Sequence, residues 1–216
     1  MLTAEQLIEF ENKIGNLFNT KQIRAPIHLY YGNEDKMFKI FERINTDIDW
    51  VCCTWRNHYQ ALLKNIPHDI LTQKIIAGKS MILNLPEYKF ICSSIVGGIP
   101  SIATGIALGV SLRETNEHVW CWVGDMSAET GAFHEAYKYA RNYKLPITFI
   151  VESNKLSVLT PTDETWRRNV PYFIDDVVEF NSKMDSAEIY EQPNLLYYQY
   201  NNTKYPHAGA GVRVQF

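Results

Sequence analysis

Two short apolar runs separated by an amphipathic stretch constrain this chain more than any other feature. Residues 118–123 (HVWCWV) and 147–151 (ITFIV) are apolar almost throughout rather than alternating. Strands of that kind need cover on both faces. Between them, residues 128–143 read as a helix, and Pro146 stands just ahead of the second run, where its missing amide hydrogen does least harm. Strand, helix and strand of this pattern describe a parallel βαβ unit. The predicted fold is therefore α/β, a mostly parallel sheet with helices on both faces.

The remaining elements are read around that unit. Residues 4–18 place Leu7, Ile8, Phe10, Ile14, Leu17 and Phe18 at roughly helical spacing, with Thr3 as N-cap. A second amphipathic helix is expected over about 35–45. A short strand over 50–54 delivers Trp55-Arg56-Asn57-His58 at its end. Helices follow over 57–64 and 68–77, the latter opened by Pro67 and closed by Gly78. Residues 101–112, rich in Ala, Gly and Ile, suit a tightly packed helix. Beyond Asn154 the chain turns polar until 195–200, which reads as one more strand, and 205–211 reads as a glycine-containing loop. With no internal repeat or low-complexity linker, residues 1–216 are expected to form a single domain with an N-terminal helical arm over about 1–45.

A chain of 216 residues buries roughly 70% of its extended-chain surface, enough to build a core without disulfides or a structural metal. Its 46% apolar and 21% charged content excludes a disordered tail, a collagen-like chain and a coiled coil. A formal charge of −3 leaves no electrostatic footprint for nucleic acid. The apolar runs are too short to cross a bilayer. The opening MLTAEQLIEFENKIG carries Glu5, Glu9 and Glu11 and lacks a basic segment followed by an apolar one. No secretory signal is expected, and the cytoplasm is the expected compartment. Cys52, Cys53, Cys92 and Cys121 show no metal-ligand spacing, and the adjacent Cys52 and Cys53 cannot bridge without strain, so reduced thiols are expected.

Open parallel sheets bind ligands at the carboxyl ends of their strands. Here one strand ends in Gly124-Asp125-Met126 and the next in Glu152-Ser153-Asn154. Side by side, they would bring the Asp125 carboxylate and the Asn154 amide oxygen to one rim. With a nearby backbone carbonyl, that is an all-oxygen set suited to magnesium and to phosphate oxygens. Taken alone, an Asp after Gly at a strand end serves equally as an N-cap or turn residue.

Gly124-Asp125, twenty-six residues between Met126 and Ser153, and then Asn154 resemble the thiamine diphosphate signature. Longer segments carry the resemblance further: IRAPIHLYYGNED, TWRNHYQALLKNIP, SSIVGGIPSIATGIALG and ETGAFHEAYKYARNYKLPITFIVESN. In this order, across most of residues 20–155, they resemble the alpha subunit of the decarboxylating component of 2-oxo acid dehydrogenases of the pyruvate, branched-chain and acetoin types. The resemblance implies a three-layer thiamine diphosphate-binding fold and an enzyme that decarboxylates a pyruvate-like 2-oxo acid and passes on the acyl or aldehyde unit. It implies magnesium held by Asp125, Asn154 and the backbone oxygen of Leu156. It also implies Gly124 and Met126 beside the diphosphate, and Arg56 clamping it with Trp55 alongside.

The same resemblance places His58 toward the substrate and His207 over the thiazolium, as catalytic histidines. The carbonyl of Ser94 would accept from the pyrimidine amino group, and Val96 would wedge the two rings. His28 and His134 fit supporting, structural positions; His68 and His118 receive no role. The glutamate that activates the cofactor is implied to come from a separately encoded beta-type subunit in an α2β2-like heterotetramer. The chain departs from the pattern at Met126, which stands where the signature has glycine, and at Ser153, which stands where it has asparagine. It is also shorter than such alpha subunits, with the missing length expected between Asn154 and Leu195. A non-catalytic scaffold subunit and a transketolase-like N-terminal half are the alternative readings.

Overall fold

The computed structural model describes residues 2–205 and 207–210. Helix α1 (Ala4–Asn19) starts with a capping box. Thr3 Oγ1 accepts from the Gln6 amide, and Gln6 Oε1 accepts from the Thr3 amide. Helix α2 (Glu34–Phe41), strand β1 (Trp50–Cys53), and helices α3 (His58–Leu63) and α4 (His68–Ile76) follow. Strands β2 (Asn84–Leu85) and β3 (Phe90–Cys92) then lead to helix α5 (Gly98–Arg113). Strand β4 (Val119–Gly124), helices α6 (Asp125–Ala128) and α7 (Gly131–Asn142), and strand β5 (Ile147–Ser153) make up the βαβ unit. After it come β6 (Leu156–Ser157), β7 (Thr160–Pro161), α8 (Thr162–Trp166), α9 (Val177–Asp185), β8 (Tyr190–Gln192) and β9 (Leu195–Gln199).

Seven strands form one sheet in the order β2-β3-β1-β4-β5-β9-β8. The five inner strands are parallel, and the two edge strands pair antiparallel. Strand residues alternate between two cores, which explains why the inner strands are apolar throughout. Val119, Cys121 and Val123 pack with α5 and α7 on one face. Trp120 and Trp122 pack with α1, α2 and α4 on the other. Leu7, Phe10 and Ile14 of α1 share that second core with Val51 and Cys53 of β1. The architecture is three-layered α/β. The four cysteines are free and buried. Among the described residues no helix is long and apolar enough to cross a membrane.

Three details differ from the sequence reading. The helix expected over 128–143 is α7, which starts later, at Gly131, because Thr130 Oγ1 accepts from the Phe133 amide and caps it after the separate short α6. Strand β3, three residues long, delivers the segment from Ser93, whose amide donates to the Cys53 carbonyl at 3.0 Å. The polar stretch after Asn154 is not featureless. It holds the β6–β7 hairpin, the edge strand β8, and helices α8 and α9, whose side chains face largely outward and so carry weak apolar periodicity.

Candidate functional site

The carboxyl ends of β1, β4 and β5 converge on a cavity of about 130 Å3. Strands β1, β4 and β5 are neighbours in the sheet, and Gly124 lies opposite Glu152 in the β4–β5 register. This pairing puts Asp125 and Asn154, each just past its strand partner, at one rim. Trp55, Arg56, Val96, Gly124, Asp125, Met126, Asn154, Leu156 and His207 all line the cavity. A larger groove between α1 and α4, lined by Gln6, Glu9, Phe10 and His68, lies away from these strand ends.

Asp125 Oδ1 accepts from the Met126 amide at 2.9 Å and Oδ2 from the Ser153 hydroxyl at 3.1 Å. Asn154 Oδ1 accepts from the Leu156 amide at 3.1 Å. Each of these oxygens has two lone pairs and uses one here, so a cation could still be taken up. Burial raises the Asp125 carboxyl to about 6, partly offset by the Met126 amide and the Ser153 hydroxyl. Among the described residues there is no group of three or more His, Cys, Asp and Glu arranged to hold a metal. A cation here would depend on amide, carbonyl and ligand oxygens beside the single Asp125 carboxylate.

Across the cavity, Arg56 is buried, its Nη1 donating to the Tyr200 hydroxyl at 3.1 Å and its Nε without a partner. Arg56 also lines the cavity, so its guanidinium presents a fixed positive charge to an anion there. The α-carbon of Gly124 faces open space. Both features fit a metal-bridged diphosphate. Glu152, also buried, lines the same cavity, close enough for the Arg56 charge to favour its ionised form. It accepts from Tyr30 at 2.6 Å and from Tyr198 at 2.9 Å. Burial pushes its carboxyl up to about 7 despite those two donors and Arg56.

The histidines fall differently from the sequence expectation. His58, expected to face the substrate, is sealed in the core at the start of α3 and does not line the cavity. Its Nδ1 lies 2.8 Å from Glu11 Oε2 and its Nε2 2.9 Å from Ser80 Oγ. Both ring nitrogens are thus taken up by a buried partner on α1 and another after α4, and none is left for a substrate. His207 does line the cavity, and beside it lies His28, expected only to support structure. The two rings meet edge to face with centroids 5.2 Å apart, and His28 lies 5.8 Å from Trp55.

Two hydrogen bonds to backbone carbonyls hold that pairing. The Gly209 amide donates to the Ile27 carbonyl at 2.9 Å, and Asn202 Nδ2 donates to the Leu29 carbonyl at 3.0 Å. His28 Nδ1 is buried without a partner. Burial first, then the charges of Arg56, His207 and His58, lowers His28 to about 3, and burial with Arg56 lowers His207. His28 is therefore a neutral imidazole at physiological pH. Ser94 lies in the loop after β3 and His134 on α7, both outside the cavity wall. Sequence reading named Glu152 at a strand tip without giving it a role, and missed the Tyr30, Tyr198 and Tyr200 hydroxyls. The signal available for them was the period-two spacing of Tyr198 and Tyr200, which puts both on the Arg56 side of β9.

The family described as dehydrogenase E1 component matches residues 3–179. The alpha subunit of acetoin:2,6-dichlorophenolindophenol oxidoreductase from Bacillus subtilis is 28% identical over 162 residues, covering 70% of this chain and 48% of that protein. The pyruvate dehydrogenase E1 component alpha subunit from Rickettsia typhi is 27% identical over 164 residues, covering 71% and 50%. A solved structure from Mycobacterium smegmatis overlays with a TM-score of 0.42 at 21% identity, covering 61% of this chain and 22% of the other. The chain spans about half the length of the curated relatives it matches.

Proposed function

The chain belongs to the dehydrogenase E1 component family, and from that premise we propose that it is the alpha-type subunit of an enzyme dependent on thiamine diphosphate and magnesium. The enzyme would decarboxylate a pyruvate-like 2-oxo acid and transfer the resulting acyl or aldehyde unit. One observation carries the reading. A single cavity at the carboxyl ends of three adjacent parallel strands has oxygen ligands on one rim and a buried guanidinium with an unused donor on the other. That is the arrangement a cation-bridged diphosphate requires.

When bound, the cofactor supplies the electron sink for decarboxylation. This chain supplies the rest of the local chemistry. Asp125, Asn154 and the Leu156 carbonyl would hold magnesium, and the Arg56 guanidinium would hold phosphate oxygens. Val96 would press against the rings, with Ser94 offering its carbonyl nearby. Trp55 would exclude water from the substrate side. His207, with His28 behind it, would donate or accept a proton there as a neutral imidazole. His58 acts in this reading only by holding the turn that carries Trp55 and Arg56.

A cavity of about 130 Å3 is well below the ~300–1,000 Å3 of pockets that enclose a whole ligand of cofactor size. At its mouth Ile95 and Val96 are exposed. Both facts support a beta-type partner that completes the site and brings the activating glutamate, in an α2β2-like assembly. Shared cores on the two sheet faces support reading residues 1–216 as one domain, and free buried thiols support a cytoplasmic setting. Calorimetric titration of the chain, mixed with its partner, with thiamine diphosphate and magnesium tests the proposal. Binding that Asp125→Ala abolishes while the fold is retained is expected. No binding by the parent complex would overturn it.

A further inference from the structure

Met126 stands where the signature has glycine, at a point where the backbone must lie close to a diphosphate. The structure shows where its side chain goes. Met126 follows Asp125 in α6, and its amide is engaged by the Asp125 carboxylate. Its thioether is met from outside by Trp166, the last residue of α8, whose indole Nε1 donates to Met126 Sδ at 2.9 Å. Met126 lines the cavity, whereas Trp166 lines a neighbouring cleft with Glu129 and Arg168. The methionine thus stands in the wall between the two, with the indole on the far side.

We infer that Trp166 is a positioning residue that draws the Met126 side chain out of the cavity, restoring the room for diphosphate that a glycine would leave. This rests on the thiamine diphosphate reading above. A methionine side chain turns about three bonds and adapts to whatever space it finds. Without a partner it can fold into a cavity of about 130 Å3, where a thioether would take the place of a phosphate oxygen. The segment that carries Trp166 is built to reach back over this rim. The β6–β7 hairpin returns the chain, and the Thr162 amide donates to the Lys155 carbonyl at 3.0 Å to start α8 beside β5. Arg167, in the left-handed region at φ 51°, ends the helix directly after the indole. The methionine at position 126 and the aromatic at position 166 are therefore one feature, 40 residues apart in the chain.

Thermodynamic coupling between the two positions tests this on the full chain with its partner, by calorimetric titration of thiamine diphosphate at saturating magnesium. Trp166→Ala is expected to weaken binding about two- to tenfold, the scale of a sulfur–aromatic contact. In a Met126→Gly background the same substitution is expected to change nothing, because no thioether remains to be held. Trp166→Phe keeps the ring and loses the donor, and is expected to fall between parent and Trp166→Ala. It also serves if the alanine variant melts early. An unchanged dissociation constant in Trp166→Ala, or a loss that persists undiminished in the Met126→Gly background, overturns the inference while the cofactor reading stands. A parent complex that binds no thiamine diphosphate overturns both.

Discussion

Asp125 pits the stability of the metal-free chain against its proposed role. An aspartate with an ordinary value of 3.8 is raised to about 6 in the fold, chiefly by burial. The folded chain therefore holds this proton more tightly than the unfolded one between about pH 4 and pH 6. Stability falls as pH rises across that window, and the loss is complete above it. Asp125→Asn is expected to remove that decline and to stabilise the metal-free chain by about 1–3 kcal/mol at pH 7. Urea unfolding between pH 4 and pH 8 measures it; an asparagine variant no more stable than its parent at pH 7 would contradict the account. Magnesium competes with the same proton, so its affinity should climb with pH up to about 6.

Helix α1 shows how an element far from the cavity shapes it. Glu11 is fully buried and joins three segments, accepting from the Tyr30 amide at 2.9 Å and pairing with His58, which in turn meets Ser80. Removing one partner leaves the other with one buried polar atom unpaired, at a cost of about 1–3 kcal/mol. Glu11→Ala and His58→Ala are each expected to lose about that much, and the double variant far less than the sum. Strictly additive losses in urea unfolding would show that the two side chains do not act as a pair. The loop between α1 and α2 has a second fixed point. Gly32 sits at φ 89°, and a Cβ there would lie 2.5 Å from the Asn201 carbonyl oxygen. Gly32→Ala should cost more than about 2 kcal/mol, read as a lowered melting temperature, since strain and a backbone clash add. A melting temperature equal to the parent's would rule out that close approach.

For the whole molecule, the outer face of α5 is the surface to explain. Ile102 and Leu112 are exposed on it, Gly105 and Gly109 have nothing within 4 Å of a built Cβ, and the stripe runs on to Val96 at the cavity mouth. Continuity with the cavity suits the proposed beta-type partner, which must reach the same mouth. Ile102→Glu is expected to leave the stability of the isolated chain unchanged and to weaken assembly about tenfold or more, measured by sedimentation. Assembly at parental affinity would move the partner's footprint elsewhere.

Legibility in the sequence followed the range of the interactions concerned. Strands β4 and β5 were readable because an inner parallel strand is covered on both faces and so must be apolar throughout. Helices α1 and α4 were readable from local caps and periodicity. Once β4 and β5 were recognised as neighbours, the meeting of Asp125 and Asn154 at one rim followed from strand register. Helix α9 was not legible, since it turns a mostly polar face outward, and β8 was not, since it is three residues long and is held by its distant pairing with β9. The sequence by itself determined the βαβ frame and the residue types at its strand tips, because both depend on local pattern and on the length of one crossover. Only the tertiary structure decided which histidine faces the cavity. His58 is claimed by Glu11, 47 residues away, while His28 is set beside His207 by a loop from the far end of the chain. No local rule encodes those pairings; they exist only once the helices of one layer have packed against the sheet.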